Sequence, residues 1–179
     1  GVRQIIQVTN SGIVGITIED GRTLWLYRRD PAYDDVVIAT PIVHKDHVFS
    51  TVGFQQGCDL IKLVTDGKKF DVEKVFSDRS VQNRDGGVIL VGDHLYGHSE
   101  NLGWFCREFI TGKVAWSERN KLARGPVTCA DGRLYCLAEK GEVVMPNGPL
   151  KAIGDFPITL NLHTDVKAQI TVSVLGDHS

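Results

Sequence analysis

The hexapeptide Asp20-Gly21-Arg22-Thr23-Leu24-Trp25 recurs as Thr111-Gly112-Lys113-Val114-Ala115-Trp116. Each copy is a Gly-Arg/Lys turn, two further residues and then Trp. Between them Val75-Phe76 fills the same slot, so by subtraction the aromatic landmarks stand 51 and 40 residues apart. A second landmark keeps step with the first. Asp46-His47-Val48-Phe49, Asp93-His94-Leu95-Tyr96 and Gly132-Arg133-Leu134-Tyr135 each place a turn pair before an apolar-aromatic strand start, at intervals of 47 and 39 residues. Two independent landmarks with one period of roughly 40 to 50 residues mark the blades of a β-propeller, each made of four short strands.

The chemistry of the repeat explains its residue types. Gly21 and Gly112 permit the positive φ of a tight hairpin, and Trp25 and Trp116 are large flat groups suited to plug the space between neighbouring sheets. A blade has no core until its neighbour covers it. These four residues are the structural repeat positions expected from the sequence.

Away from the landmarks the pattern is also strand. Short β-branched and apolar runs, such as Val48 to Val52, Val88 to Val91 and Leu134 to Leu137, are bounded by Gly, Asp and Asn, and no window sustains a 3.6-residue period. The 179 residues are 42% hydrophobic and 23% charged, which excludes disordered, collagen-like and coiled-coil classes. Twenty Lys and Arg stand against 22 Asp and Glu, a formal charge of -2, so binding to nucleic acid or an anionic membrane would need a local patch. No apolar run approaches the roughly 18 residues of a membrane span. The chain opens on Gly1, with neither an initiator Met nor a signal-type segment, and is expected to be a mature, trimmed or excised piece. The expected architecture is an all-β, partial β-propeller of about three to four blades followed by a C-terminal β-hairpin.

Ser11-Gly12-Ile13-Val14-Gly15 through Trp25, Thr40-Pro41-Ile42-Val43, Gly86-Gly87-Val88 through Tyr96-Gly97, and Thr111 through Trp116 resemble repeats of the pyrroloquinoline-quinone-like β-propeller family. The resemblance runs from about Val2 to Val144. It implies an extracytoplasmic, often periplasmic, quinoprotein-like propeller, in a superfamily many of whose members are scaffolds or binding proteins that hold no quinone; with the repeat architecture, the expected function is a non-enzymatic binding or scaffolding module for a protein partner, without a cofactor. In that family an acidic residue four before the turn Gly is usual; Glu108 fits and Thr17 departs.

After Val144 the rhythm changes. Met145 opens a Pro- and Gly-rich stretch to Pro157, followed by period-two alternation through Ile158, Leu160 and Leu162, then Val166, Ala168, Ile170, Val172 and Val174, the pattern of a hairpin with one buried face. Leu150-Lys151-Ala152-Ile153-Gly154, Leu162-His163 and Val166 through Val174 resemble the end of the C-terminal domain of bacterial large-subunit ribosomal protein nine. That resemblance implies a ribosome-associated component, with ribosomal RNA as partner if it is functional. The tail holds Lys151 and Lys167 against Asp155, Asp165 and Asp177, a charge of -1, which shows no phosphate-binding surface of its own. The expected organisation is therefore propeller blades over 1–144 and a distinct tail over 145–179. A joint near Glu142 to Met145 would arise from a gene fusion, a chimera or a misassembled reading frame.

Candidate chemistry is sparse. His44, His47, His94 and His98 are the tempting metal or general-base cluster, but His44-x-x-His47 and His94-x-x-x-His98 lack a third ligand of obvious position, and His47 and His94 sit at solvent-facing turn positions of the repeat. A quinone- and calcium-dependent oxidoreductase relic is the enzymatic alternative. It would call on Trp104 with Glu100 and Asn101, although packing suits Trp104 better. Ser99 and Ser117 read as polar-loop residues without a base, and Asp34-Asp35 and Arg119 to Arg124 read as solvated loops between blades. Among Cys58, Cys106, Cys129 and Cys136 no vicinal or Cys-x-x-Cys pair occurs. Cys129 and Cys136 flank one turn diagonally, where a disulfide is conceivable beside the plainer role of buried apolar groups. No catalytic or metal residue is assigned.

Overall fold

The computed structural model describes residues 2–30, 32, 37–119, 122–130, 133–139, 143–145, 148–149, 154–163 and 166–174. Every regular element among them is a β-strand. The first sheet is a three-stranded antiparallel meander of β1 (Gln4–Thr9), β2 (Gly12–Thr17) and β3 (Thr23–Arg28). The second holds β4 (Ile42–His44), β5 (His47–Val52), β6 (Gly57–Thr65) and β7 (Phe70–Asp78) in chain order. The third is β8 (Val88–Val91), β9 (His94–Ser99), β10 (Gly103–Glu108) and β11 (Val114–Glu118), and the fourth is β12 (Val127–Ala130), β13 (Arg133–Leu137), β14 (Val143–Met145) and β15 (Gly148–Pro149). A hairpin of β16 (Gly154–His163) and β17 (Val166–Val174) closes the described chain. Successive four-stranded meanders are propeller blades, so the all-β reading with a partial propeller and a terminal hairpin holds.

Both sequence landmarks fall on equivalent strands. Trp25, Phe76 and Trp116 all lie on the last strand of their sheet, and His47, His94 and Arg133 all open the second. The pairing repeats in finer detail. Trp25 stands opposite Gly15, Phe76 opposite Leu60 and Trp116 opposite Cys106, and in each case the ladder slips by one residue immediately beside that pair. Leu24, Val75 and Ala115 are thus the extra residues of three equivalent β-bulges, which bend the outer strand and increase its twist.

A third repeated landmark escaped the sequence reading. Gly12, Gly57 and Gly103 open β2, β6 and β10, in each case the last strand but one of its sheet, with φ of 137°, 87° and 71°. A Cβ there would lie 1.9 Å from the Tyr27 carbonyl oxygen, 2.4 Å from that of Asp78 and 2.3 Å from that of Glu118. Only glycine lets the returning outer strand approach so closely. The residue after each glycine, Ile13, Cys58 or Trp104, is buried.

The core is a series of seams between sheets. Ile13 and Trp25 of the first sheet meet Val48 and Ile61 of the second. Phe49, Cys58 and Leu60 of the second meet Leu95, Phe105 and Phe109 of the third. Trp104 of the third packs with Val127 of the fourth and with Leu122 and Ala138, which flank its first two strands. The first four sheets thus cover one another along these seams, the mutual dependence expected of stacked repeats.

Candidate functional site

The first two seams carry charged groups deep between blades. Asp59 on β6 is fully buried and pairs with Arg29 at 3.1 Å. The Ser77 hydroxyl, on the neighbouring β7, donates to it at 2.5 Å, and the Tyr27 hydroxyl reaches it at 3.5 Å. Arg29 also donates to the Gln56 carbonyl. Burial, then the Asp59 charge, raises the Tyr27 phenol above its ordinary value, so it remains a protonated donor.

Over this seam, between β3 and β7, opens a cleft of about 410 Å³ whose walls include Arg28, Arg29, Lys74 and Arg79 with Asp30 and Asp78. Four of its wall residues are cationic and two are anionic. Asp78 is engaged elsewhere: its carboxylate accepts from the Ser80 amide and hydroxyl, both at 2.7 Å, and pairs with Arg107 at 3.1 Å. Burial alone would raise its pKa, but these hydrogen bonds and the guanidinium outweigh that and hold it below the ordinary carboxylate value.

Arg107 is the charge of the second seam. It is 2% exposed, lies over the Phe76 ring with its guanidinium carbon 5.2 Å from the centroid, and donates to the Cys58 sulfur at 3.5 Å. Its Nε has no hydrogen-bond partner among the described residues. The equivalent position in the preceding sheet is Ile61, paired at the same bulge. Desolvation pushes the Cys58 thiol up to about 12 against the lowering effect of Arg107, so it stays a thiol.

The positions singled out in the sequence divide. Gly21 and Gly112 have φ of 71° and 70° as their turns require. Trp25 is 4% exposed and donates from its indole nitrogen to Gln4 at 2.7 Å, whereas Trp116 is 47% exposed. The plug expected at Trp116 is therefore corrected. Trp25 lies across Gly15, where a Cβ would stand 2.2 Å from its ring, while Trp116 faces Cys106, whose side chain occupies that space, and its ring tilts toward Tyr96 at 6.4 Å. Trp104 fills the third seam instead. It is 5% exposed, and its indole nitrogen donates to the Ala123 carbonyl at 2.9 Å.

That placement takes Trp104 out of any open stacking face, and its proposed companions are occupied: Glu100 pairs with Arg84 at 3.0 Å, and the Asn101 amide donates to the Arg79 carbonyl at 3.3 Å. His44 and His47 stand opposite each other in the β4–β5 ladder, and His98 lies in a different seam. His44 and His47 set their rings edge-on to Phe109 at 5.6 and 6.4 Å, and His47 bonds to Asp46 at 2.7 Å. His47 is thus 15% exposed in its side chain and not the solvent-facing residue expected. His98 packs edge-on against Trp104 at 5.5 Å, and burial lowers its pKa, so it is neutral at pH 7. Among the described residues no three His, Cys, Asp or Glu side chains gather as a metal site would require.

Ser99 is not a loop residue. It ends β9 fully buried, donates to the Ser80 carbonyl and accepts from the Gln82 amide, both at 2.9 Å. Ser117 lies exposed within β11. Cys129 and Cys136 are free thiols paired opposite Leu134 and Val127. Arg124 is held by Glu139 at 2.6 Å rather than solvated alone, and Asp34-Asp35, Asn120, Lys121 and Glu142 lie outside the described residues. The sequence reading missed Arg29, Asp59, Asp78 and Arg107. The available signal was a charge inside an apolar strand run, as in Cys58-Asp59-Leu60-Ile61 and Trp104-Phe105-Cys106-Arg107.

The model of the ribosomal protein L9 C-terminal domain matches residues 136–176, from within β13 through β17. The large ribosomal subunit protein bL9 of Paraburkholderia phymatum is 49% identical over 110 residues, covering 62% of this chain and 69% of the relative. The corresponding protein of Delftia acidovorans is 52% identical over 111 residues, covering 62% and 70%. That of Ralstonia nicotianae is 62% identical over 39 residues, which is 22% of this chain and 26% of the relative. In three dimensions the chain is similar to BamB from Moraxella catarrhalis, with a TM-score of 0.57 at 19% identity over 88% of this chain and 51% of that one. That likeness concerns the propeller fold alone. The extracytoplasmic, periplasmic placement implied by the propeller resemblance is overturned, because the relatives matched in sequence are proteins of the large ribosomal subunit. Through the segment that ends in the β16–β17 hairpin, the chain belongs to the family of the bacterial large ribosomal subunit protein bL9.

Proposed function

We propose that this chain is a ribosome-associated protein that docks through its bL9-like carboxyl-terminal segment and carries the propeller blades as a rigid β surface. The match over residues 136–176 to the C-terminal domain of ribosomal protein L9 supports the docking role. Ribosomal RNA and ribosomal proteins are the partners this reading implies. The division into blades over 1–144 and a tail over 145–179 belongs to the same proposal, as does the resemblance of the blades to pyrroloquinoline-quinone-like repeats. The reading is tested by co-sedimentation of the full chain with large ribosomal subunits at low salt, where electrostatic association is strongest. Pelleting with the large subunit is the expected result, and a chain that stays in the supernatant would sink the reading.

A second reading makes the blades a non-enzymatic scaffold that binds a protein partner, supported by the propeller-like neighbour. It takes second place because a fold shared at 19% identity hosts many functions, whereas the sequence relatives name one assembly.

A further inference from the structure

We propose that the cleft between β3 and β7 is a binding site for phosphate groups. Charge bookkeeping on the walls carries the inference. Arg29 is neutralised by buried Asp59, and Asp78 by buried Arg107. Arg28, Lys74 and Arg79 are exposed and make no ion pair among the described residues, and Asp30 is the one wall carboxylate left to oppose them. Three cations against one anion leave a surplus of two positive charges in a chain whose formal charge is -2. The surplus is therefore local and not a property of the whole surface.

The rest of the wall suits an oxyanion. Two of the free cations are arginines, whose planar forks donate two parallel hydrogen bonds to a phosphate. The Tyr27 ring lines the same wall. The main chain at Arg79 is held, since its carbonyl accepts from the Gln82 amide group at 2.8 Å and from Asn101 at 3.3 Å. The buried Arg29–Asp59 pair fixes the floor, so little ordering remains to be done when an anion enters. A volume of about 410 Å³ accommodates one phosphate with its attached sugar and lies within the range of small-ligand clefts. The phosphate belongs either to an RNA backbone or to a small phosphorylated compound, and the chemistry of recognition is the same.

The test uses the full chain, a labelled oligouridylate followed by fluorescence anisotropy across a salt series, and pyrophosphate followed by calorimetry. The triple variant Arg28→Gln, Lys74→Gln, Arg79→Gln is compared with Lys68→Gln, Lys69→Gln, which removes charge from the distant β6–β7 turn. The expected result is oligouridylate binding that weakens at least about tenfold in the triple variant, with a salt slope reduced by about two for three lost phosphate contacts. Pyrophosphate should compete for the same site, and the control should bind as the unaltered chain does. Pyrophosphate binding lost in the triple variant, without oligouridylate binding, would assign the site to a small phosphorylated compound. If neither probe binds, if the triple variant binds both undiminished, or if the control loses as much, the proposal is overturned. Ribosome pelleting of the triple variant is scored separately, so failure of the cleft is distinct from failure of docking through the tail.

Discussion

Thr17 and Glu108 occupy one position of the repeat with their hydrogen-bond chemistry exchanged. The carbonyl of each accepts the amide of the turn glycine four residues on, at 3.2 Å from Gly21 and 3.0 Å from Gly112, and the amide of each donates across the turn at 2.9 Å. In the first turn the Thr17 hydroxyl donates to Asp20; in the second the Thr111 hydroxyl donates to Glu108 at 2.5 Å. Hydroxyl and carboxylate have traded ends of the same bond. The departure of Thr17 from the acidic pattern is therefore compensated three residues later.

This exchange predicts a rescue. Thr17→Glu alone sets two carboxylates face to face and should lower the melting temperature, more so as pH rises and both ionise. In the unaltered chain the Thr17 hydrogen bond, followed by the Arg22 amide, holds the Asp20 pKa below its ordinary value; the substitution removes the first and sets a like charge in its place, which raises it, so the repulsion should fade as pH falls and the pair takes up a proton. Adding Asp20→Thr should restore the melting temperature at neutral pH. Thermal unfolding of the single and double variants from pH 3 to 8 checks this, and a double variant no better than the single would show that the turns are not equivalent.

Trp25 and Trp116 should differ sharply in energetic weight. Trp25→Ala empties a buried seam and should cost about 3–5 kcal/mol, whereas Trp116→Ala removes a half-exposed ring and should cost under about 1 kcal/mol. Gly15→Ala drives a methyl into the Trp25 ring and should cost about 1–3 kcal/mol by overpacking. Denaturant unfolding of the three variants decides it. Equal losses for the two tryptophans would refute the role given to Gly15.

The period and strand order were legible because turn glycines and outer-strand aromatics must recur wherever a blade recurs. Which tryptophan is buried was not legible, since that depends on the residue across the ladder, Gly15 in one case and Cys106 in the other. The basic cleft was hidden for a related reason. Arg28 and Arg29 stand roughly 45 to 50 residues from Lys74 and Arg79, and only the apposition of two outer strands brings them together.

The Asp78–Arg107 pair should make stability fall in acid. A carboxylate whose folded pKa lies below its unfolded value stabilises the fold above the unfolded pKa and loses that contribution as pH falls through the folded one. Asp78→Asn should flatten this part of the pH profile and leave Arg107 buried without a counter-charge. The cost should be on the order of 2 kcal/mol, below that of a fully enclosed pair because 32% of the Asp78 side chain meets water. Arg107→Met with Asp78 retained should cost less, since Asp78 keeps its two Ser80 hydrogen bonds and its contact with water, and an apolar side chain, Ile61, fills the equivalent position. Unfolding followed between pH 3 and 8 separates these outcomes.

Thiol reactivity should report the seams one by one. Cys129 is exposed and should react with a disulfide reagent at once in the folded chain at pH 8. Burial raises the Cys136 thiol to about 11, which should make it slow, and Cys58, at about 12, should react only after unfolding. Timed labelling read by mass spectrometry gives the order. Early modification of Cys58 would show that the second and third sheets separate readily.

Blade and tail meet within one sheet. The family match begins at residue 136, within β13, and the ladder of the fourth sheet continues through β14 and β15 before the hairpin begins at Gly154. A chain in which one strand serves both portions should be a single product in its source. Tryptic cleavage after Lys140 and Lys151 then yields the peptide Gly141 to Lys151, which crosses the joint. Its detection, at abundance matching peptides from both flanks, is the expected result and binds the propeller and the ribosomal segment into one function. Flanking peptides found only in two separate proteins would assign the blades and the tail to different chains, and ribosome docking would then say nothing about the blades.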